Sequence, residues 1–271
     1  MRKTELLVLV IAGLVASCSY YQYEKQDQEE TASVSYSQAK KVGKAPDFTR
    51  FDDVSEKKQA FFDYLRPGIE LENQRVKKER SRLDIIQRRF QKGQLTDKDR
   101  QYASELGERY NVPLPEGGID QAWLETMLHR VDVLPEPLVL VQAANESAWG
   151  TSRFARKANN YFGQWCYSEG CGVVPLKRGD DMSHEVAKFK SVQQSIHGYF
   201  MNVNRNHAYE DLRQIRYQRH VKDKSLTDTE AAIALTNGLL RYSERGEDYV
   251  QDIKTMIMHN QDFWEDNLTK Q

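Results

Sequence analysis

Glu146 lies in the stretch Leu138 to Gly163, LVLVQAANESAWGTSRFARKANNYFG. Leu138, Val141 and Asn145 recur at i, i+3 and i+7, with Ala144 and Ala148 beside them, so the first half reads as an apolar helix. Pro135 and Pro137 suit the loop and first turn ahead of it, and Gly150 marks its stop. Glu146 therefore falls in the last turn, where the helix dipole favours a cation and a carboxylate is out of place. Small neighbours leave room for a bulky molecule. Desolvation in such a setting raises a carboxyl pKa towards the range of a general acid. The competing view is a solvated glutamate on the outer face of a core helix.

Other chemistries lack their residues. The chain has no G-x-G-x-x-G, Walker loop, G-x-S-x-G or H-E-x-x-H, which leaves nucleotide, serine-hydrolase and zinc-protease readings without support. A net charge of −1 over 271 residues points to neither nucleic acid nor an acidic polymer as partner. Cys166 and Cys171 flank a tight turn, and His184 stands alone near them, so the ligand set for zinc is incomplete. No metal and no cofactor is expected. Carboxylates and aromatic rings remain, which is what a glycosidase uses to protonate a leaving oxygen and to hold sugar faces.

The stretch AANESAWGTSRFARKANNYFG resembles the signature of the glucosaminidase family of peptidoglycan hydrolases, glycoside hydrolase family 73. The shared pattern is an A-x-E-S-x-W-G helix, a short helix, and an N-x-F-G turn. The W-C-x4-C segment and the late RYSERG-x-x-Y segment are like those of its Bax-type branch, and the likeness spans about residues 120–262, with a weaker similarity in the preceding helix. It implies a mainly α, α+β, lysozyme-like domain in which a small β-hairpin lobe faces helices across a groove. It also implies that Glu146 is the general acid, and it puts the family's second glutamate at Glu185 by position, as candidate base. Glu169 and Asp181 compete for that role on the same segment. Tyr242 matches the tyrosine opening the family's Y-A-T-D segment, although this chain continues as YSER. Asn160, Phe162 and Gly163 form the N-x-F-G turn, with Phe162 on the groove floor, and Tyr161 and Trp165 are candidate sugar platforms. The implied reaction is hydrolysis of the β-1,4 bond after N-acetylglucosamine in peptidoglycan. A lytic transglycosylase using the same acid, and a non-catalytic peptidoglycan-binding lipoprotein, stay open.

The elements that must position these groups follow a simple order. Residues 1–17 read as a secretion signal, with Arg2 and Lys3 ahead of an apolar run too short for a comfortable membrane span. Val15-Ala16-Ser17-Cys18 resembles the lipobox of bacterial lipoproteins, which implies lipid on the Cys18 thiol and attachment to a membrane. Ser19 implies the outer membrane, facing the periplasm, by resemblance to lipoprotein sorting rules. Residues 18–55 have the polar composition of a tether with a reach of order 30 Å if flexible. In an oxidising envelope Cys166 and Cys171 would form a local disulfide, worth about 2 kcal/mol for so small a loop.

Residues 56–118 form a helical N-terminal region. Phe62, Ile69, Val76, Leu83 and Phe90 recur every seven residues, which predicts a long helix packed across the following domain. Pro67-Gly68 is expected to kink or interrupt it. The basic run Arg75, Lys77, Lys78, Arg80, Arg82, Arg88 and Arg89 is expected on a solvated face. Gly93 and Thr96 to Asp99 predict a break and a fresh cap. The catalytic domain is assigned to 119–262, with a tail at 263–271. Within it a helix is predicted at 121–129, strands at about 172–176 and 185–189, and helices after Ser191 that end near Asn260. Gly238 is placed inside one of them. His197, His207 and His259 are expected in surface or capping roles.

Overall fold

The computed structural model describes residues 42–175 and 185–268, with side chains to residue 265. The signal, Cys18, most of the tether, Asp181 and His184 lie outside the described residues. The fold is mainly α and lysozyme-like, with one small sheet.

Its longest element, α1 (Val54–Gln91), is capped by the Asp53 carboxylate on the Glu56 amide. Phe62, Ile69, Val76 and Leu83 are fully buried, while Phe90 at the far end is only partly covered. At Pro67-Gly68 the helix is not interrupted: it runs through both residues. Proline removes one amide, but Leu65 and Ile69 on either side are locked into the core, and packing outweighs propensity here. A Cβ on Gly68 would come within 2.4 Å of Val42 and 2.6 Å of Ile196, so close contact explains that glycine. The basic run is also not simply solvated. Arg75 pairs with Glu72 and Glu79, Arg80 with Asp84 and Asp132, and Arg82 and Arg89 with the buried Asp99.

The second helix, α2 (Asp97–Arg109), opens with a reciprocal capping box between Thr96 and Asp99. Next come α3 (Gln121–Arg130) and α4 (Glu136–Ser147), which carries Glu146. Every residue of α4 from Pro137 to Ala144 is buried. It is less an amphipathic helix than a central rod, covered by α1, α8 (Thr229–Thr236) and α9 (Glu247–His259). After α5 (Arg153–Ala158), capped by Ser152, come three short strands, β1 (Trp165–Cys166), β2 (Gly172–Val173) and β3 (Glu185–Ala187). They form an antiparallel sheet in the order β1-β3-β2, with Cys166 opposite Glu185 and Gly172 opposite Ala187. Strand β1 has no counterpart in the sequence reading, because two residues give no alternation to detect.

Helix α6 (Val192–Arg205) turns Ile196, Tyr199, Phe200 and Val203 inward. A 3-10 turn, His207–Tyr209, leads into α7 (Glu210–Val221). Gly238 lies beyond the end of α8, not within a helix, and the Leu212 amide would meet its Cβ at 2.2 Å. The segment assigned as tail contains α10 (Asp262–Leu268), whose Phe263 and Trp264 rings pack on Phe62. No described helix is long and apolar enough to cross a membrane.

Candidate active site

The turn after α4 is built to hold Glu146 at a helix end. Ala148, Trp149 and Gly150 all take positive φ, at 49°, 56° and 75°. The Ser147 hydroxyl accepts from the Gly150 amide, and the Trp149 ring is fixed against Phe61 and Phe62. The helix therefore stops abruptly one residue past Glu146, which lies half-buried in the lining of a groove of roughly 820 Å³.

Burial pushes the Glu146 carboxyl above its ordinary value, and hydrogen bonds from Tyr249 and Asn145 partly oppose that rise. The Tyr249 hydroxyl donates to Glu146 Oε1 at 3.0 Å, and Asn145 Nδ2 lies at 3.2 Å from the same oxygen. Behind Tyr249 the contacts continue inward. Gln142 Nε2 donates to the Tyr249 hydroxyl at 2.9 Å, and the Tyr199 hydroxyl donates to Gln142 Oε1. Tyr249 was quoted in the late RYSERG-x-x-Y segment without a role; its nearness to Glu146 depends on α9 crossing α4, which no local pattern reveals.

The other predicted residues divide. Phe162, Trp165 and Tyr242 line the groove with Glu146. Phe162 is stacked on Tyr199 at 4.3 Å, and the Tyr242 hydroxyl donates to its carbonyl at 2.9 Å. Trp165 is 48% exposed in the groove lining. Tyr161 differs from its expected place as a platform: it is buried against Phe61 and Tyr64, so its ring faces the core. Asn160 is buried too. Its Nδ2 donates to the carbonyls of Gln164 and Ala187, and its Oδ1 accepts from the amides of Phe162 and Gln164. It ties the turn to β3 instead of meeting substrate.

Glu185 is engaged elsewhere. It is buried, with Oε1 3.1 Å from the Gly170 amide and Oε2 2.7 Å from the Gly172 amide. The Gly170 amide lies in the loop closed by the Cys166–Cys171 disulfide and the Gly172 amide just after it, and Glu185 does not line the groove among the described residues. A carboxylate with both oxygens accepting backbone donors is placed to shape a loop; as a water-activating base it would first have to leave them. Glu169 is exposed on that loop. The two sulfurs and the Glu185 carboxylate cluster closely, but the sulfurs are bonded to each other and are not free as metal ligands.

His197 was expected at the surface, and the structure puts it in the groove wall. Residues 197, 198, 201, 202 and 205 of α6 all line the groove. His197 Nδ1 is 3.0 Å from Oε2 of Glu72, a buried residue of α1.

A groove lined by one half-buried carboxylate and by exposed aromatic residues has the groups that a glycosidase would use. The sequence profile of the family described as glucosaminidase, mannosyl-glycoprotein endo-beta-N-acetylglucosaminidase, matches residues 120–262. The chain is also 32% identical over 222 residues to Protein bax of Escherichia coli (strain K12), covering 82% of this chain and 76% of that protein. The chain belongs to the glucosaminidase family. No solved structure matches it.

Proposed function

We propose that this protein is an endo-β-N-acetylglucosaminidase that hydrolyses the β-1,4 bond after N-acetylglucosamine in peptidoglycan strands. One observation carries the reading: Glu146 lines the groove, half-buried, with its pKa raised and one oxygen fixed by Tyr249. A carboxyl whose proton affinity burial raises is suited to donate to the glycosidic oxygen as the bond breaks, and such general acid catalysis is typically worth ~10²–10⁴-fold. Trp165 and Tyr167, both exposed in the groove lining, are the aromatic residues placed to meet flanking sugars. In this proposal Glu185 acts through the disulfide loop, which carries Tyr167 to the groove rim.

The test is mass spectrometry of the ends generated from purified cell wall. Reducing N-acetylglucosamine ends support the reading, and anhydro ends would replace it with transglycosylation. Absence of any new end would leave a binding protein. We further propose that lipid on Cys18 tethers the enzyme to the outer membrane, facing the periplasm, on the strength of Val15-Ala16-Ser17-Cys18.

A further inference from the structure

The groove wall contains a carboxylate–imidazole pair whose two halves come from different parts of the chain. Glu72 lies on α1, outside the family segment that begins at residue 120; His197 lies on α6, inside it. Glu72 is buried, and it accepts from Arg75 Nε at 2.8 Å and Gln193 Nε2 at 3.3 Å as well as facing His197 Nδ1. Burial works against its charge, but the hydrogen bonds from His197 and Arg75 win, and the carboxyl is held below its ordinary value. An ionised carboxylate can only accept, so Nδ1 must carry the proton that points at it. That fixes the tautomer of a neutral ring and leaves Nε2 with a lone pair.

The rest of the ring is not buried: the side chain is 45% exposed and lines the same groove as Glu146. A surface histidine with no task does not need a buried glutamate, itself held by an arginine and a glutamine, to set its orientation. The same arrangement orients imidazoles wherever one nitrogen must face a ligand.

We propose that His197, oriented by Glu72, is a substrate-binding residue whose Nε2 accepts a hydrogen bond from a sugar hydroxyl or acetamido N–H of the bound glycan. This makes α1 a contributor to substrate recognition, through Glu72 as a positioning residue. The inference rests on the glycan-hydrolase reading of the groove.

Amide side chains separate the two nitrogens. Asparagine at 197 places its amide near the position of Nδ1 and keeps a donor for Glu72, but has nothing where Nε2 was. Glutamine reaches the Nε2 position and gives up the Glu72 contact. The experiment measures kcat, KM and Tm on a soluble N-acetylglucosamine oligomer for wild type, His197→Asn, His197→Gln, Glu72→Gln and Glu146→Gln. His197→Asn should raise KM about tenfold, as loss of one hydrogen bond allows, with kcat within about twofold and Tm unchanged. His197→Gln should recover part of that loss, and Glu72→Gln, which replaces the charged acceptor of the ring by a weaker neutral one, should fall between. An unchanged KM in His197→Asn overturns the inference, as does a KM loss that His197→Gln fails to relieve. The Glu146→Gln arm is independent: full turnover there would defeat the hydrolase reading itself, whatever the His197 variants do.

Discussion

Tyr249 and Glu146 are 103 residues apart in sequence, and the tyrosine hydroxyl donates to the glutamate Oε1 at 3.0 Å. This contact works against burial. Desolvation favours the neutral acid, whereas a donor aimed at the carboxylate favours the charged one, so the acid's proton affinity is set by the balance. Burial and the Glu146 charge in turn push the Tyr249 phenol well above its ordinary range, which keeps it a donor throughout the working pH range.

Tyr249→Phe should therefore raise the Glu146 pKa. Activity needs the protonated acid and falls as pH rises through that pKa, so the alkaline limb of kcat/KM against pH should move upward by about one unit, the value of one hydrogen bond. A limb that stays in place, or moves down, would show that the phenol does not act on the acid.

Glu146→Gln should lower wall hydrolysis by ~10²–10⁴-fold and stabilise the fold at neutral pH. The folded pKa of Glu146 lies above its ordinary value of 4.5, so the charged form is penalised in the folded state. No penalty exists below the unfolded pKa, and the full penalty applies above the folded one. Each kcal/mol relieved is worth about 2–4 °C in Tm for a domain of this size. Thermal scans of both proteins should show the gap at pH 7 and see it close below about pH 4.

Gly163 closes on the acid from the other side. Its φ is +62°, and a Cβ there would lie 3.3 Å from Glu146 Oε2. Gly163→Ala should cost about 1–2 kcal/mol in backbone strain and displace the carboxylate, so kcat should fall further than the modest drop in Tm would explain. Steady-state kinetics at a temperature well below the transition provide the comparison.

Glu185→Gln should weaken the lobe more than the chemistry. One carboxylate oxygen becomes an amide that faces a backbone N–H, which costs about 1–3 kcal/mol. Reducing the Cys166–Cys171 disulfide relaxes the same loop. The effects on Tm should then be less than additive, as expected of two changes in one structural unit. Hydrolysis should remain well above that of Glu146→Gln; an equal loss would return Glu185 to the chemical step.

Arg216 offers a purely structural control. It is fully buried, and its two terminal nitrogens donate to the carbonyls of His129, Arg130, Asp132 and Val133 and to Asn204 Oδ1. Burial pushes its guanidinium down to about 10, still charged at neutral pH. Arg216→Ala strands those acceptors in the loop that leads into α4 and should cost about 3–5 kcal/mol, visible as a large drop in chemical denaturation midpoint.

How far the sequence reaches is clearest at three residues. Glu146 was singled out by local signals, an alanine-rich helix, a glycine stop and a carboxylate at the wrong end of a dipole, and the likeness to the glucosaminidase signature turned those signals into a proposed acid. Glu185 was located on a strand correctly, but its commitment to the Gly170 and Gly172 amides depends on how a closed loop folds back, which spacing does not encode. His197 was unreadable, since its meaning depends on Glu72, 125 residues earlier. The same holds for the basic run of α1: Arg80 and Arg82 look solvated until Asp132 and Asp99 arrive from elsewhere. Periodicity found the buried positions, whereas partners of buried charges are a tertiary fact.

The placement of α1 also bears on what can be cut from this protein. Its apolar face covers α4, its Glu72 reaches α6, and its Phe62 holds the two rings of α10. A fragment beginning at residue 120 would retain the whole segment that the family profile matches and yet expose one side of the rod that carries Glu146. Such a fragment should behave as an incomplete half, sticky and poorly ordered on its own, that regains structure when a synthetic α1 peptide is added in trans. The unit that folds would thus be longer than the segment the family profile matches, and the part it adds includes a long helix that could be supplied separately.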